Sequence, residues 1–209
     1  MRNVLADLVL EHEGSLVLTL RIARALDHRD DGHEDALVRL LTAVGKYWIC
    51  KRTPQHAYEA MECIGGSGVM EDSPFPRLYR EAPVNAIWEG SGNIQCLDVL
   101  RAMQKTPDTV GAYFAELAPA RGANATLDGF VAALRADFGD LADLEYRARD
   151  VVDRMALAIQ AALLVRHAPP AVADAFCASR LAGAGHRQYG TLPRGVHCAA
   201  IIERATPIA

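Results

Sequence analysis

The sequence predicts an all-α protein, and three observations carry the prediction. Apolar residues recur at three- and four-residue spacing along most of the chain. No stretch alternates in the manner of a half-buried strand. Alanine and leucine dominate, and aromatic residues make up only 6%. A length of 209 residues is enough for one large domain or two small ones with a buried core.

Residues 4–26 read as the first helix, with Leu5, Leu8, Val9, Leu16, Leu20, Ala23 and Leu26 near helical spacing. The polar run 27–33 ends it. A second helix starts near Glu34 and carries Leu37, Leu40, Leu41, Val44, Tyr47 and Trp48 on one face. Pro54 is expected to kink or break it, because proline lacks the amide hydrogen and clashes with the preceding turn. A third segment, 55–64, stops at Gly65-Gly66, where glycine accepts the left-handed conformation that closes helices. Residues 67–92 read as a long irregular stretch containing Pro74, Pro76 and Pro83. A helix over 93–103 follows, with Ile94, Leu97, Leu100 and Met103 on one face. These segments together read as an antiparallel helical bundle over 1–104. The Ala-, Gly- and Pro-rich run 106–126 marks a candidate boundary. Beyond it, 127–138, 141–167 and 171–182 read as helices of an extension over 105–209, with Pro169-Pro170 separating the last two. Residues 196–202 read either as a closing helical turn or as a packed tail.

Composition limits the function classes. Hydrophobic residues make up 51% and charged residues 23%, the balance of a soluble globular chain. The formal charge of −4 offers no global argument for nucleic acid. Residues 1–104 hold 11 Lys/Arg against 15 Asp/Glu, whereas 105–209 hold 11 against 11. Within the tail, Arg166, Arg180, Arg187, Arg194 and Arg204 face only Asp174 and Glu203, a mildly basic stretch that a solvated surface also explains. Five scattered cysteines without Cys-x-x-Cys spacing read as reduced thiols of a cytoplasmic protein. No apolar run reaches the roughly 18 residues of a membrane span, and the N-terminus shows no secretory pattern. His167, His186 and His197 lack metal-ligand spacing, so no metal site is expected.

The irregular stretch carries the chemistry, since long polar and aromatic loops in helical proteins are where function tends to sit. It contains Pro76-Arg77-Leu78-Tyr79-Arg80-Glu81 and then Ile87-Trp88-Glu89-Gly90-Ser91-Gly92-Asn93. A carboxylate beside an aromatic and a Gly-Ser-Gly turn suits base catalysis if a pocket raises its pKa. Gly90 and Gly92 would let the backbone approach a flat or phosphorylated ligand. From spacing alone, an exposed loop glutamate beside a core tryptophan is the commoner reading. Gly65-Gly66-Ser67-Gly68 looks like a phosphate loop, but it follows a helix, which fails the strand context of Rossmann and P-loop motifs. Arg77 and Arg80 would brace the loop through Glu81 or bind a phosphate.

Three motifs in order, Tyr58–Gly68, Pro76–Glu81 and Trp88–Gln95, resemble the C-terminal signature of acyl-CoA dehydrogenases, and within that family the AidB-type alkylation-response branch. The similarity extends through the flanking helices over nearly the whole chain. It implies a FAD-dependent oxidoreductase in which Glu89 abstracts the α-proton of an acyl-CoA thioester while hydride leaves the β-carbon for the flavin. Such a carboxylate needs a water-poor pocket, and its own backbone N–H is a usual donor to the thioester oxygen. Trp88 stands where Tyr is common and, with Gly90, is implied to shape the acyl pocket.

By the same resemblance, Ser91 and Asn93 lie along FAD, and Glu62, Cys63, Ile64, Gly65 and Gly66 touch the FAD of a neighbouring subunit. Many relatives have Gln where Glu62 stands, and a carboxylate there would repel flavin phosphates. An inter-subunit site implies a dimer or tetramer. The branch is associated with duplex DNA through its C-terminal extension, which points to Arg101 at the root of that extension and to Arg180, Arg187 and Arg194. The family's N-terminal helical and middle β domains have no counterpart in these residues, so turnover by this chain alone is not expected.

Overall fold

The computed structural model describes residues 1–139, 142–182 and 188–207, so Arg187 and His186 lie outside the described residues. Those residues are all-helical, without strands. The helices are α1 (Arg2–Asp27), α2 (Gly32–Cys63), α3 (Phe75–Asn85), α4 (Gly92–Lys105), α5 (Asp108–Leu117), α6 (Ala125–Asp137), α7 (Ala148–His167), α8 (Pro170–Phe176) and α9 (Cys198–Ala205).

The 32-residue α2 organises the first half. Its start is fixed by Asp31, whose carboxylate accepts from the backbone N–H groups of His33 and Glu34, satisfying donors the helix cannot. One side packs on α1 and α5, and others receive α3, α4 and α7. Pro54 does not interrupt α2, contrary to the sequence expectation. Packing along so much of the helix offsets the roughly 3 kcal/mol that an internal proline costs. The helix closes at Gly65 (φ 72°), as expected, and continues into a short 3₁₀ turn, Gly65–Val69.

Two expected irregular segments are helical. α3 occupies the middle of the stretch 67–92, with Pro74 at its N-cap and Pro76 in its first turn, where proline's missing donor is not needed. α5 fills the expected boundary 106–126 and buries Tyr113, Phe114 and Leu117. Tyr113 is fully buried, and its hydroxyl donates to the Met155 carbonyl at 2.8 Å.

α7 starts at Ala148 rather than 141 and is buried on every side through its middle, from Met155 to Leu164. A helix apolar all round belongs in a core. It packs against α1, α2, α4, α5, α6 and α8, so one continuous apolar core joins residues on both sides of position 104. α8 continues into a π-helical turn, Cys177–Leu181. α9 provides the closing helix considered for 196–202; it packs on α1 and buries Ile201 completely.

Two buried charge clusters stitch the helices together. Arg21 of α1 donates to Glu34 of α2 at 2.7 and 3.0 Å and to Glu116 of α5 at 3.0 and 2.9 Å, and Arg166 of α7 adds a bond to Glu116 at 2.9 Å. Burial alone would raise the Glu116 carboxyl, but Arg21 and Arg166 hold it below the usual carboxylate range. In the second cluster Arg180 pairs with Asp7 at 2.5 Å and Glu11 at 3.5 Å, and Arg52 donates to Glu11 at 3.2 Å.

Candidate active-site turn

Between α3 and α4 the chain makes a turn whose centre is Glu89. Its φ is +53°, the left-handed region that costs a non-glycine residue about 1–2 kcal/mol. Gly90 follows at φ +106°, which only glycine adopts readily. Something must hold Glu89 there, and the hydrogen bonds show what does. The Lys46 ammonium, half-buried on α2, donates to the Trp88 carbonyl at 2.7 Å and to the Gly90 carbonyl at 2.8 Å. Gln95 Nε2 donates to the Glu89 carbonyl at 3.1 Å and the Gly90 carbonyl at 3.3 Å. Three consecutive carbonyls are thus tied inward. Among the described residues, the backbone N–H of Glu89 has no hydrogen-bond partner.

The Glu89 side chain is exposed, so the turn by itself supplies no water-poor pocket. Trp88, which spacing read as a core residue, is 58% exposed, and Ile87 and Ile94 beside it are 65% and 54% exposed. The turn therefore presents its carboxylate on an apolar surface. The room left by the glycines is used by the protein itself. A Cβ at Gly90 would lie 2.6 Å from Gln95 Nε2, and one at Gly92 would meet the Lys51 stem and the Tyr47 ring at 3.2 and 3.3 Å.

α4 begins at this turn, with Ser91 as N-cap in an extended conformation and no side-chain cap. Ser91 and Asn93 are exposed. The Asn93 side-chain oxygen accepts from Arg149 Nε of α7 at 3.3 Å. Beneath Gly92, burial pushes the Tyr47 hydroxyl pKa up, and the nearby Asp153 carboxylate of α7 adds to it. The neighbouring Cys96 thiol is pushed up to about 11 by burial. Arg149 of α7 braces the motif through Asn93, and sequence reading missed it. Lys46 was missed as well, because each partner lies far from the motif in sequence.

Glu62, Ile64, Gly65 and Gly66 are all exposed at the end of α2. The structure does not bring them to the Glu89 turn. Lys46, under that turn, and Cys63, beside those glycines, are separated by about 25 Å of helix. Gly68 is fixed by close approach, since a Cβ there would fall 2.2 Å from the Met61 carbonyl oxygen. Arg80 is held by Glu71 at 2.6 and 3.0 Å, not by Glu81; Glu81 pairs instead with Arg77 at 3.8 Å.

The arginines considered for DNA separate clearly. Arg101 is exposed and pairs weakly with Asp98 at 3.5 Å, whose carboxylate is also held by Arg39. Arg194 is exposed. Arg180 is only 5% exposed and paired with Asp7 and Glu11, which removes it from any phosphate-contacting surface. It lines, with Asp7, Arg52, Tyr58 and Tyr189, a polar cleft of about 220 Å³ that contains none of the other candidate residues.

All five cysteines are free, and Cys96 and Cys177 are buried. Among the described residues, no cluster of His, Cys, Asp and Glu could hold a metal ion, and no helix is long and apolar enough to cross a membrane.

Comparison with known proteins places this architecture. Residues 1–104 match the model of the acyl-CoA dehydrogenase C-terminal domain. The chain is 40% identical over 85% of its length to the putative acyl-CoA dehydrogenase AidB of Escherichia coli K12, covering 32% of that protein. It is 39% identical over 47% of its length to acyl-CoA dehydrogenase family member 11 of Caenorhabditis elegans, covering 17% of it. The crystal structure of Caenorhabditis elegans ACDH-11 in complex with C11-CoA superposes with a TM-score of 0.74 at 26% identity, over 80% of this chain and 34% of that one. The chain thus spans about a third of the length of AidB and of the ACDH-11 chain. Through the C-terminal helical domain of residues 1–104, and with a likeness to AidB that runs on into the extension, the chain belongs to the acyl-CoA dehydrogenase family.

Proposed function

We propose that the chain is the C-terminal part of a FAD-dependent oxidoreductase acting on an acyl-CoA thioester, with Glu89 as the base that removes the α-proton. The observation that carries the reading is the Trp88–Gly92 turn. It offers a carboxylate and an unpartnered backbone N–H from one residue, Glu89, on a rigid frame. The N–H would donate to the thioester oxygen as enolate character develops, and the carboxylate would take the proton. Exposure of Glu89, Trp88 and Ile87 means that the pocket is completed by a surface laid over the turn, and covering it would raise the basicity of the carboxylate. Trp88 and Gly90 would shape the acyl end of that pocket.

Bound FAD would supply the hydride acceptor. The residues fit a flavin in two places. Ser91 and Asn93 stand exposed at the uncapped start of α4, where free backbone donors favour polar or anionic groups. Ile64, Gly65 and Gly66 stand exposed at the far end of α2, with Glu62 adding a negative charge. The two places lie about 25 Å apart along α2, and in this reading they contact different flavins, one bound to each copy of a homo-oligomer. Residues 105–209 then act as an extension that braces the motif of residues 1–104 through Arg149.

The test is anaerobic reduction, by an acyl-CoA, of the flavin-loaded intact oxidoreductase of which this chain is the proposed C-terminal part. Glu89→Gln is expected to keep FAD and lose about 10²- to 10⁴-fold in reduction rate, the range a positioned base contributes. Undiminished reduction would sink the assignment.

A second reading, an alkylation-response flavoprotein associated with duplex DNA, is supported by the exposed Arg101 and Arg194 and weakened by the burial of Arg180. Affinity for a duplex should fall steeply with salt and drop on Arg101→Glu; salt-independent binding would oppose it.

A further inference from the structure

We propose that Lys46 is the positioning residue for Glu89, its ammonium acting as the peg around which the active-site turn is wound. The inference rests on the reading of Glu89 as the base and adds the residue that aims it. The carbonyls of residues 88 and 90 converge on one cation here, with the chain between them reversed by the left-handed φ of Glu89 and the positive φ of Gly90. An extended or right-handed Glu89 would swing one carbonyl away from Nζ and leave the ammonium half-paired. The two bonds, at 2.7 and 2.8 Å, are short and charge-assisted. Gln95 cannot replace it, because its amide reaches the carbonyls of Glu89 and Gly90 but not that of Trp88.

Lys46 touches neither the Glu89 carboxylate nor its N–H. Its effect is on direction: with the turn pegged, the Cα–Cβ bond and the N–H of Glu89 have fixed bearings on the covering surface. Lys46 also joins the turn to the middle of α2, whose opposite neighbours form the protein's core.

The experiment reads the conformation of residue 89 directly in the full chain. A residue with positive φ gives a strong intraresidue amide-to-Hα Overhauser effect, whereas extended and right-handed residues give a weak one. In Lys46→Met the ratio of left-handed to other conformers at Glu89 is expected to fall about tenfold, as the loss of a hydrogen bond from a charged donor implies. In Lys46→Arg, which keeps donors, the strong effect should return. An unchanged Overhauser effect in folded Lys46→Met overturns the proposal, as does a weak one in Lys46→Arg. Should Lys46→Met fail to fold, the same change in a Glu89→Gly background is expected to fold, since glycine needs no peg to take a positive φ. A double variant that also fails to fold overturns the proposal. Neither readout depends on Glu89 acting as a base. A failed peg would leave the flavin-reduction result standing, and a Glu89→Gln protein that reduces flavin normally would leave the peg standing.

Discussion

The two sides of α2 show opposite solutions to the same problem. Towards α1, α5 and α7, Leu37, Leu40, Leu41 and Val44 are fully buried, and charges that enter are paired on several sides. Towards α3 and the 86–91 turn, Tyr58, Tyr79, Ile87 and Trp88 remain exposed, and order comes from a few polar contacts to the backbone. The first side is a finished core. The second is a shaped surface whose burial is left to something that covers it. Stability should therefore respond to the first and function to the second, and substitutions can break that division.

The largest loss is expected in the buried cluster. Arg180→Ala would leave Asp7 without its cation and Glu11 with Arg52 alone, and removing one partner of a buried pair costs about 3–5 kcal/mol. Urea unfolding followed by far-UV circular dichroism would show it. A loss below 1 kcal/mol would mean that Arg180 is effectively solvated and would return it to the surface arginines. Next comes Gly68→Ala at the start of the motif surface. Its Cβ would strike the Met61 carbonyl, and overpacking of this kind costs about 1–3 kcal/mol. A neutral result would show that the 3₁₀ turn yields freely.

Acid should act on the core side first. Burial lowers the His56 pKa, so the unfolded chain takes up its proton before the folded one does. The stability it contributes is whole above the unfolded value of about 6.5 and is lost as pH falls through the folded value. Glu116, held low by Arg21 and Arg166, has the same sign on a lower window. Its contribution is present above the unfolded carboxylate value of about 4.3 and is lost below it. A pH series of unfolding midpoints should show both steps, and His56→Gln should flatten only the upper one. The smallest effect belongs to Arg101→Ala, an exposed residue in a weak pair, where stability should change by no more than about 1 kcal/mol while any duplex affinity falls.

The helices α1, the first half of α2 and α4 were legible in the sequence from their apolar spacing, but in α1 the face was misplaced: Leu16, Leu20 and Leu26 are exposed, and Leu10 and Leu18 are buried. α3 was not, because Pro74, Pro76 and Pro83 look like breakers, whereas Pro74 and Pro76 sit at the helix start and Pro83 is accommodated inside it. α5 hid behind the small residues around it, although Tyr113, Phe114 and Leu117 are the apolar signal of a buried face. The break considered at Pro54 does not occur, since propensity argues against an internal proline and tertiary packing overrode it. At the site, the order Trp88-Glu89-Gly90 was legible as a motif, but what holds it was not. Lys46 reaches the turn from 42 and 44 residues away, and Arg149 reaches Asn93 from 56. Nothing local in the sequence marks such contacts.

The central claim is that Glu89 is a base, and the most direct test isolates proton removal from hydride transfer. The flavin-loaded intact oxidoreductase containing this chain would be incubated in deuterium oxide with an acyl-CoA thioester, and deuterium at the α-carbon followed by mass spectrometry. The account predicts exchange by the unaltered protein and, in Glu89→Gln, a rate at least about a hundredfold lower with FAD still bound. Equal exchange by both proteins would contradict it and move the base elsewhere.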